Sequence, residues 1–204
     1  MDKKFIQIFK GLERNFGFAN VHNGYTDPET GKLKLKNGDY GWSSKPITEQ
    51  DYQDHLSGKR SIGIQACDDE GMARFGAIDI DPEYKKFSPQ KYLEIIKENN
   101  IPVVPCSSKS GGLHIFVFTK EPVKAEVIRN FLDTLLFTFK LESSTEIFPK
   151  QTKLGTDETG KKLNGNFINL PYFNKTERCA LNLDGTKFNF EEFIQLVEAN
   201  KKTE

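Results

Sequence analysis

Two aspartates, Asp79 and Asp81, stand two residues apart at the end of an otherwise apolar segment, 75–80. A β-strand places alternate side chains on opposite faces, so both carboxylates share one face while Ile78 and Ile80 point to the other. Neighbouring carboxylates repel each other, and a cation is the usual means of keeping both ionised in a partly desolvated site. Oxygen ligands suit Mg²⁺ or Mn²⁺ better than zinc. The pair predicts a divalent-metal site, with an exposed strand end or a turn as the alternative.

A loop of small residues, Ser107–His114, ends in a histidine where the next strand begins. Gly111 and Gly112 let the backbone approach a ligand closely, and hydroxyl and amide groups in such a turn bind phosphate oxygens. Lys109 adds positive charge. The loop contains neither GxxxxGK[ST] nor GxGxxG. We interpret it as a cradle for a triphosphate, and the alternative is an ordinary hairpin turn with His114 as a half-buried strand residue.

A third polar segment, Thr145–Gln151, contributes Glu146 as a third carboxylate and Lys150 as a cation. It precedes a polar insertion at 152–163, which reads as a mobile loop or as the solvated tip of a hairpin. The segment Gly165–Pro171 follows.

The elements that must position these residues alternate between helix and strand. Thr48 and Ser88 are placed as helix caps and Gly58 as a helix terminator. The order predicts an α/β or α+β fold. Hydrophobic periodicity predicts helices at about 5–16, 48–56, 88–99, 124–139 and 188–200, strands at about 61–66, 75–81, 103–106 and 114–118, and loops with a hairpin at 20–46.

Composition narrows the class of protein. The 204 residues include 29 Lys+Arg and 29 Asp+Glu, so any nucleic-acid contact requires a local patch. Cys67, Cys106 and Cys179 lie far apart, which favours reduced thiols in a cytoplasmic protein. Neither an apolar run of membrane-spanning length nor a signal-peptide apolar region is present in the sequence, so no membrane partner is expected.

The three polar segments, in this order, resemble the motifs of the archaeo-eukaryotic primase (AEP) superfamily, most closely its primase-polymerase (PrimPol) branch in mobile elements and CRISPR- or defence-associated systems. Residues 76–81 resemble its hhhDhD motif I, Lys109–His114 its SxH motif II, and Glu146 its acidic motif III. Residues 165–171 resemble the strand that follows on the nucleotide side, and 55–58 with Gly63 resemble the lead-in to motif I.

The resemblance covers about residues 5–178 and departs from the family pattern twice. A strict Ser-x-His motif would place serine at 112, and the third acid is Glu146 where aspartate is commoner. These departures bear on Ser110 and Glu146 and leave Asp79, Asp81 and His114 unaffected.

The resemblance implies a template-dependent nucleotidyltransferase, a DNA primase or DNA polymerase that adds nucleoside triphosphates to a 3′-hydroxyl on a DNA template or primer. It implies two divalent cations, Mg²⁺ or Mn²⁺, and a helicase or accessory module as a further partner. The implied roles are metal ligation and catalysis by Asp79, Asp81 and Glu146, nucleotide binding by Lys109, Ser110, Gly111, Gly112, His114, Lys150 and Asn166, and template contacts by Lys59, Arg60, Trp42 and Tyr172.

The family fold implied is an RRM-like antiparallel sheet with flanking helices, packed on a smaller N-terminal α/β module. The expected boundaries are about 1–60 for the N-terminal module, 61–180 for the catalytic module and 181–204 for a C-terminal helix and tail. We expect this single catalytic domain to be excised from a longer chain.

Two other classes of protein use parts of the same pattern. A metal-dependent nuclease or phosphodiesterase would use the carboxylates with water as the nucleophile and ignore added triphosphates. A catalytically silent RRM-like nucleic-acid-binding module would tolerate loss of Asp79. The pattern is compatible with de novo priming or primer extension alone, and with ribonucleotides or deoxynucleotides.

Overall fold

The computed structural model describes residues 2–29, 33–82 and 87–202. Within these ranges the helices are α1 (Asp2–Ile8), α2 (Glu49–Leu56), α3 (Pro89–Glu98), α4 (Ala125–Thr138) and α5 (Phe190–Asn200). The strands are β1 (Gly17–Ala19), β2 (Tyr25–Thr26), β3 (Leu33–Lys34), β4 (Tyr40–Trp42), β5 (Ser61–Ile64), β6 (Met72–Ile80), β7 (Val104–Ser107), β8 (Leu113–Lys124), β9 (Glu146–Phe148) and β10 (Ile168–Asn169).

The strands form two antiparallel four-stranded sheets and a small hairpin, β2–β3. The first sheet has the order β10-β5-β1-β4, and the second has the order β7-β8-β6-β9. The second sheet and its two helices follow one another along the chain as β6-α3-β7-β8-α4-β9, which is the βαββαβ arrangement of RRM-like folds. The predicted α+β class with an RRM-like antiparallel sheet is therefore confirmed.

The second sheet is buried on both faces. Ile78 and Ile80 of β6 point toward α3 and α4 and belong to one apolar core. Phe75 and Ala77 point to the opposite face and belong to a second core, which the first sheet, α1 and α5 complete. Asp79 alternates with the isoleucines, so it lies on the face that looks toward the first sheet.

The N-terminal helix ends earlier than the sequence predicts. The apolar residues at helical spacing are buried as expected, among them Phe9 and Leu12, but α1 stops at Ile8. The Leu12 amide donates to Gln65 O at 2.9 Å, and a β-carbon on Gly11 would lie 2.3 Å from the same oxygen. The chain leaves the helix because it packs its backbone directly against the end of β5.

The predicted start and end of α2 are confirmed. Thr48 forms a reciprocal capping box with Asp51, and Gly58, at φ +79°, follows the last turn. α3 begins at Pro89 as expected, although the Ser88 side chain makes no capping hydrogen bond.

Two strands inside the predicted catalytic module belong to the first sheet. β5 pairs with β1, and β10 pairs with β5. The first sheet thus combines β1 and β4 with residues from both ends of the range 61–180. The module boundaries themselves remain a prediction. Helices able to span a membrane are missing from the part of the chain that the structure describes.

Candidate active site

One row of paired residues crosses the whole second sheet at the end of β6. The strand register places Cys106 opposite His114, His114 opposite Asp79, and Asp79 opposite Glu146. Directly opposed residues of antiparallel strands carry their side chains on the same face. The sheet therefore sets an imidazole and two carboxylates, which are far apart in sequence, side by side.

His114 and Asp79 contact each other within this row. His114 Nε2 lies 3.4 Å from Asp79 Oδ1, the imidazole is buried, and the carboxylate is about one quarter exposed. The edge of the His114 ring also packs on Phe116, with centroids 5.8 Å apart. The core thus fixes the imidazole, while Asp79 presents its carboxylate to solvent.

Glu146 and Lys150 form an ion pair across the turn that follows β9. The Lys150 ammonium group also lies over the Phe148 ring, 5.4 Å from its centroid. The backbone of this turn is held by Arg129 of α4, which donates hydrogen bonds to Pro149 O and Lys150 O. The charge of Glu146, the expected third carboxylate, is therefore balanced by Lys150.

Asp81 lies one residue beyond β6 and is exposed. Within residues 2–29, 33–82 and 87–202, no three His, Cys, Asp or Glu side chains converge as a ready metal site. The donor set nevertheless fits an oxygen-seeking divalent cation, because the register puts Asp79 beside Glu146 and Asp81 follows closely. In this conformation Asp79 is engaged by His114 and Glu146 by Lys150.

The small-residue loop packs tightly against the end of β6. Ser108 Oγ accepts from the Gly112 amide at 3.0 Å and contacts Ser110 Oγ at 3.2 Å. Gly111 adopts φ +87° with open space around it, whereas a β-carbon on Gly112 would lie 2.1 Å from Ile80 O. The close contact of Gly112 fixes the turn next to the end of β6, beside Asp81.

A buried arginine that the sequence interpretation missed lies near this turn. Arg178 Nη1 donates to Ser61 Oγ at 2.8 Å and to Leu170 O at 3.3 Å. Its Nε has no hydrogen-bond partner within the described residues, and burial lowers the pKa of the guanidinium to about 10. Partial desolvation and the charge of Arg178 lower the pKa of Lys109. The positive charge of Arg178 is thus felt at Lys109 in the small-residue turn.

Arg178 carried no recognisable pattern in the sequence. It reaches the site because the following residues extend the second sheet: Cys106 bridges to Ala180, and the Ser107 amide donates to Cys179 O at 3.0 Å. The sequence did not predict this edge pairing, and so it gave no signal that pointed to Arg178.

Asn166 is held in a chain of amide hydrogen bonds that joins the two sheets. Its side-chain oxygen accepts from Gln151 Nε2 at 2.7 Å, and Gln65 Nε2 donates to Gln151 Oε1 at 3.1 Å. Gln151 follows Lys150 in sequence, so this chain positions the residues after β9 against the first sheet.

The expected template contacts are dispersed. Lys59 forms a salt bridge with Asp54 at 3.2 Å, so part of its charge is already balanced, and Arg60 is half-buried at the start of β5. Trp42 is half-buried on β4 and packs edge-on against Phe167, with centroids 5.0 Å apart.

The prediction that Tyr172 stacks on a base is wrong. Its side chain is fully buried, its ring packs on Phe193 with centroids 4.7 Å apart, and its hydroxyl donates to Phe188 O at 2.9 Å. The polar residues around it in sequence are solvated, but the tyrosine itself belongs to the core between α5 and the first sheet.

A comparison with curated proteins finds no significant match. The family model described as "TOTE conflict system, Archaeo-Eukaryotic Primase domain" matches residues 7–196. This span includes both sheets and every residue of the row across β6–β9, and its conflict-system description agrees with the expected defence association. The chain therefore belongs to the archaeo-eukaryotic primase superfamily, in its TOTE conflict-system group.

Proposed function

We propose that this domain is a template-dependent primase-polymerase that joins nucleoside triphosphates to a 3′-hydroxyl through a site built on Asp79, Asp81 and Glu146. The family assignment indicates a primase-type nucleotidyltransferase that acts on nucleotides and nucleic acid in a conflict system. The template dependence, the metal chemistry and the residue roles are the proposal. The observation that carries it is the single row of Asp79, His114 and Glu146 beside the small-residue turn.

The turn and its neighbouring cations are suited to a triphosphate. Lys109 and the buried Arg178 supply positive charge beside the turn, and charge-assisted hydrogen bonds to phosphate oxygens are stronger than neutral ones. Ser110 and the open backbone at Gly111 add small polar groups. We assign these groups to the β- and γ-phosphates, where they would balance charge on the departing pyrophosphate.

The carboxylates are assigned to the reacting end of the nucleotide. Asp79, Asp81 and Glu146 would hold two divalent cations, which when bound supply Lewis-acid stabilisation of the attacking and leaving oxygens. His114 would fix the orientation of Asp79 through their 3.4 Å contact and, with its imidazole, hydrogen-bond the triphosphate. Lys150 would release Glu146 and contact a phosphate.

The proposed reaction is one displacement at phosphorus. The 3′-oxygen forms a bond to the α-phosphorus, the bond between that phosphorus and the α–β bridging oxygen breaks, and pyrophosphate leaves. The proton of the 3′-hydroxyl passes to water. Residues of the site position and stabilise charge and form no covalent intermediate.

The test is extension of a labelled primer on a longer template, with dNTPs or NTPs and Mg²⁺ or Mn²⁺. We expect Asp79→Asn to lower the rate at least a thousandfold without unfolding the protein. Asp184→Asn is the matched control, because Asp184 lies in an exposed turn and asparagine retains the oxygen that accepts from the Thr186 amide. Metal-dependent shortening of the primer would instead support a nuclease, and activity independent of Asp79 would refute the assigned site.

A further inference from the structure

The outer face of the first sheet carries a cavity of about 430 Å³ that adjoins the assigned active site at Lys109. Its lining combines rings and cations, namely Phe18, Tyr25, Lys34, Tyr40, Lys109 and Phe167. Lys109 belongs to the turn beside the catalytic row, so the cavity and the proposed nucleotide site are neighbours.

Two rings in this cavity are unusually open to solvent. Tyr25 on β2 is 51% exposed, and Tyr40 on β4 is 53% exposed. Leaving large apolar surfaces in water is unfavourable, and exposed aromatic groups gathered at one site are typical of a binding surface. Because the rings stand on two separate strands, they offer two separate stacking faces.

The floor of the cavity is rigid. A β-carbon on Gly17 would lie 2.4 Å from the Phe167 ring, and one on Gly63 would lie 2.3 Å from it. The register sets Trp42 beside Gly17 in the same row, and Trp42 packs edge-on against Phe167. The two glycines thus seat Phe167 directly on the sheet, and Trp42 supports it from the side.

The two lysines lie at different sides of the cavity. Lys34 pairs with Asp27 on the hairpin side. Lys109, on the side of the active site, is under the influence of the Arg178 charge. Lys34 thus lies at the hairpin side of the cavity, and Lys109 lies at the side that adjoins the proposed nucleotide site.

We propose that this cavity binds an unpaired nucleic-acid strand, with bases stacked on Tyr25 and Tyr40 and a phosphate beside Lys34. Base stacking on aromatic side chains is sequence-tolerant, and basic groups beside the rings follow the phosphates. Two rings on different strands suit successive bases of a strand better than the single base of a free nucleotide. That the cavity guides a template strand toward Asp79 rests on the proposed function, but strand binding itself does not.

The test is fluorescence anisotropy with a labelled oligothymidylate of about 15 nucleotides, a length that exceeds most single binding sites of this kind. We expect the double variant Tyr25→Ala/Tyr40→Ala to bind about tenfold more weakly or worse, and Tyr25→Phe/Tyr40→Phe to bind as the wild type does. Phe137→Ala is the matched control, because Phe137 is 87% exposed on α4, behind the other face of the second sheet. Thermal unfolding of each variant checks that the fold is intact.

Equal affinity of the double alanine variant and the wild type would overturn the proposal. Displacement of the oligonucleotide by a low excess of free ATP, with the same dependence on the tyrosines, would also overturn it and make the cavity a nucleotide site. If the double phenylalanine variant loses as much affinity as the double alanine variant, the tyrosine hydroxyls bind the strand and base stacking on the rings does not.

The same oligonucleotide assay separates this inference from the proposed function. Tyrosine-dependent strand binding without any primer extension refutes the polymerase and leaves the strand site standing. Extension that depends on Asp79, together with strand binding that ignores both tyrosines, refutes the strand site and leaves the polymerase standing.

Discussion

Gly112 makes the closest backbone contact in the proposed phosphate cradle. Its α-carbon faces Ile80 O so closely that an added β-carbon would lie 2.1 Å from that oxygen, whereas a β-carbon on Gly111 would have no atom of the described residues within 4 Å. Gly112→Ala must therefore displace the turn or the end of β6, and with it Asp81. We expect a loss of about 2 kcal/mol in the free energy of unfolding and loss of nucleotidyl transfer.

Gly111→Ala is the matched comparison for Gly112→Ala. Gly111 has φ +87°, so alanine there costs about 1 kcal/mol of backbone strain without a steric collision. Urea unfolding and primer extension of both variants measure the difference. Equal losses of activity would mean that the contact with Ile80 does not position the site.

Arg178 is the residue whose proposed role depends most on its surroundings. Its guanidinium binds Ser61 and Leu170 through Nη1, and among the described residues its Nε has no hydrogen-bond partner. Lysine keeps the charge but cannot reproduce this planar arrangement of donors. We expect Arg178→Lys to raise KM for the nucleoside triphosphate about tenfold and to change kcat less, as measured by steady-state extension.

Arg74→Lys is the control for the arginine substitution. Arg74 lies near the start of β6, at the opposite end of that strand from Asp79, and its Nη1 donates a long 3.5 Å hydrogen bond to Lys120 O. A KM that stays the same in both variants would remove Arg178 from the nucleotide site.

α2 depends on a histidine that the fold keeps neutral. His55 is buried, accepts from the Ile62 amide at Nδ1 (3.2 Å) and faces Pro171 O from Nε2 (2.9 Å). Burial lowers its pKa from 6.5 to about 3. Between these values only the unfolded chain binds the proton, so stability is retained above about pH 6.5 and falls as the pH drops toward 3.

We expect protonation of His55 in the unfolded chain to lower the free energy of unfolding by roughly 2 kcal/mol when the pH falls from 7 to 5. His55→Gln retains a donor for Pro171 but does not titrate, so its stability should change less over the same interval. Urea unfolding at both pH values compares the two proteins. The prediction fails if the variant and the wild type lose the same amount.

The elements were most predictable where local signals agreed. α2 follows its Thr48 capping box and Gly58, and β6 follows the alternation around Ile78. Local signals failed where tertiary contacts decided the structure. The helical spacing at the N-terminus continues past Ile8, but the helix ends there because the chain packs against β5. Tyr172 lies in a polar stretch of sequence, yet its side chain is buried in the core.

The candidate site was only partly visible in the sequence because long-range pairing assembles it. Asp79, His114 and Glu146 stood out by type and local pattern, and the strand register explains why they meet. Arg178 did not stand out, because its position depends on residues 179–180 pairing with the edge of the second sheet.

At the scale of the whole molecule, Arg14 joins three distant segments. Its Nε donates to Asp69 Oδ1 at 3.1 Å, and its Nη groups donate to Leu163 O and to the Asn164 side chain. The polar insertion, in which Thr156 bridges to Lys162, is thereby tied at its base to the N-terminal segment. The next residues lead into Asn166 and the amide chain that links the two sheets.

Arg14→Ala should therefore loosen the insertion and weaken the site that it adjoins. We expect faster hydrogen exchange across 152–166, while α4 exchanges as in the wild type. We also expect a several-fold higher KM for the nucleoside triphosphate, because Gln151 and Asn166 lose a fixed neighbour. Lys10→Ala is the control, because Lys10 lies in the same N-terminal segment, is exposed and pairs with Glu13 at 3.2 Å. Unchanged exchange in the insertion would mean that the hairpin holds itself in place and that the Arg14 hydrogen bonds do not order it.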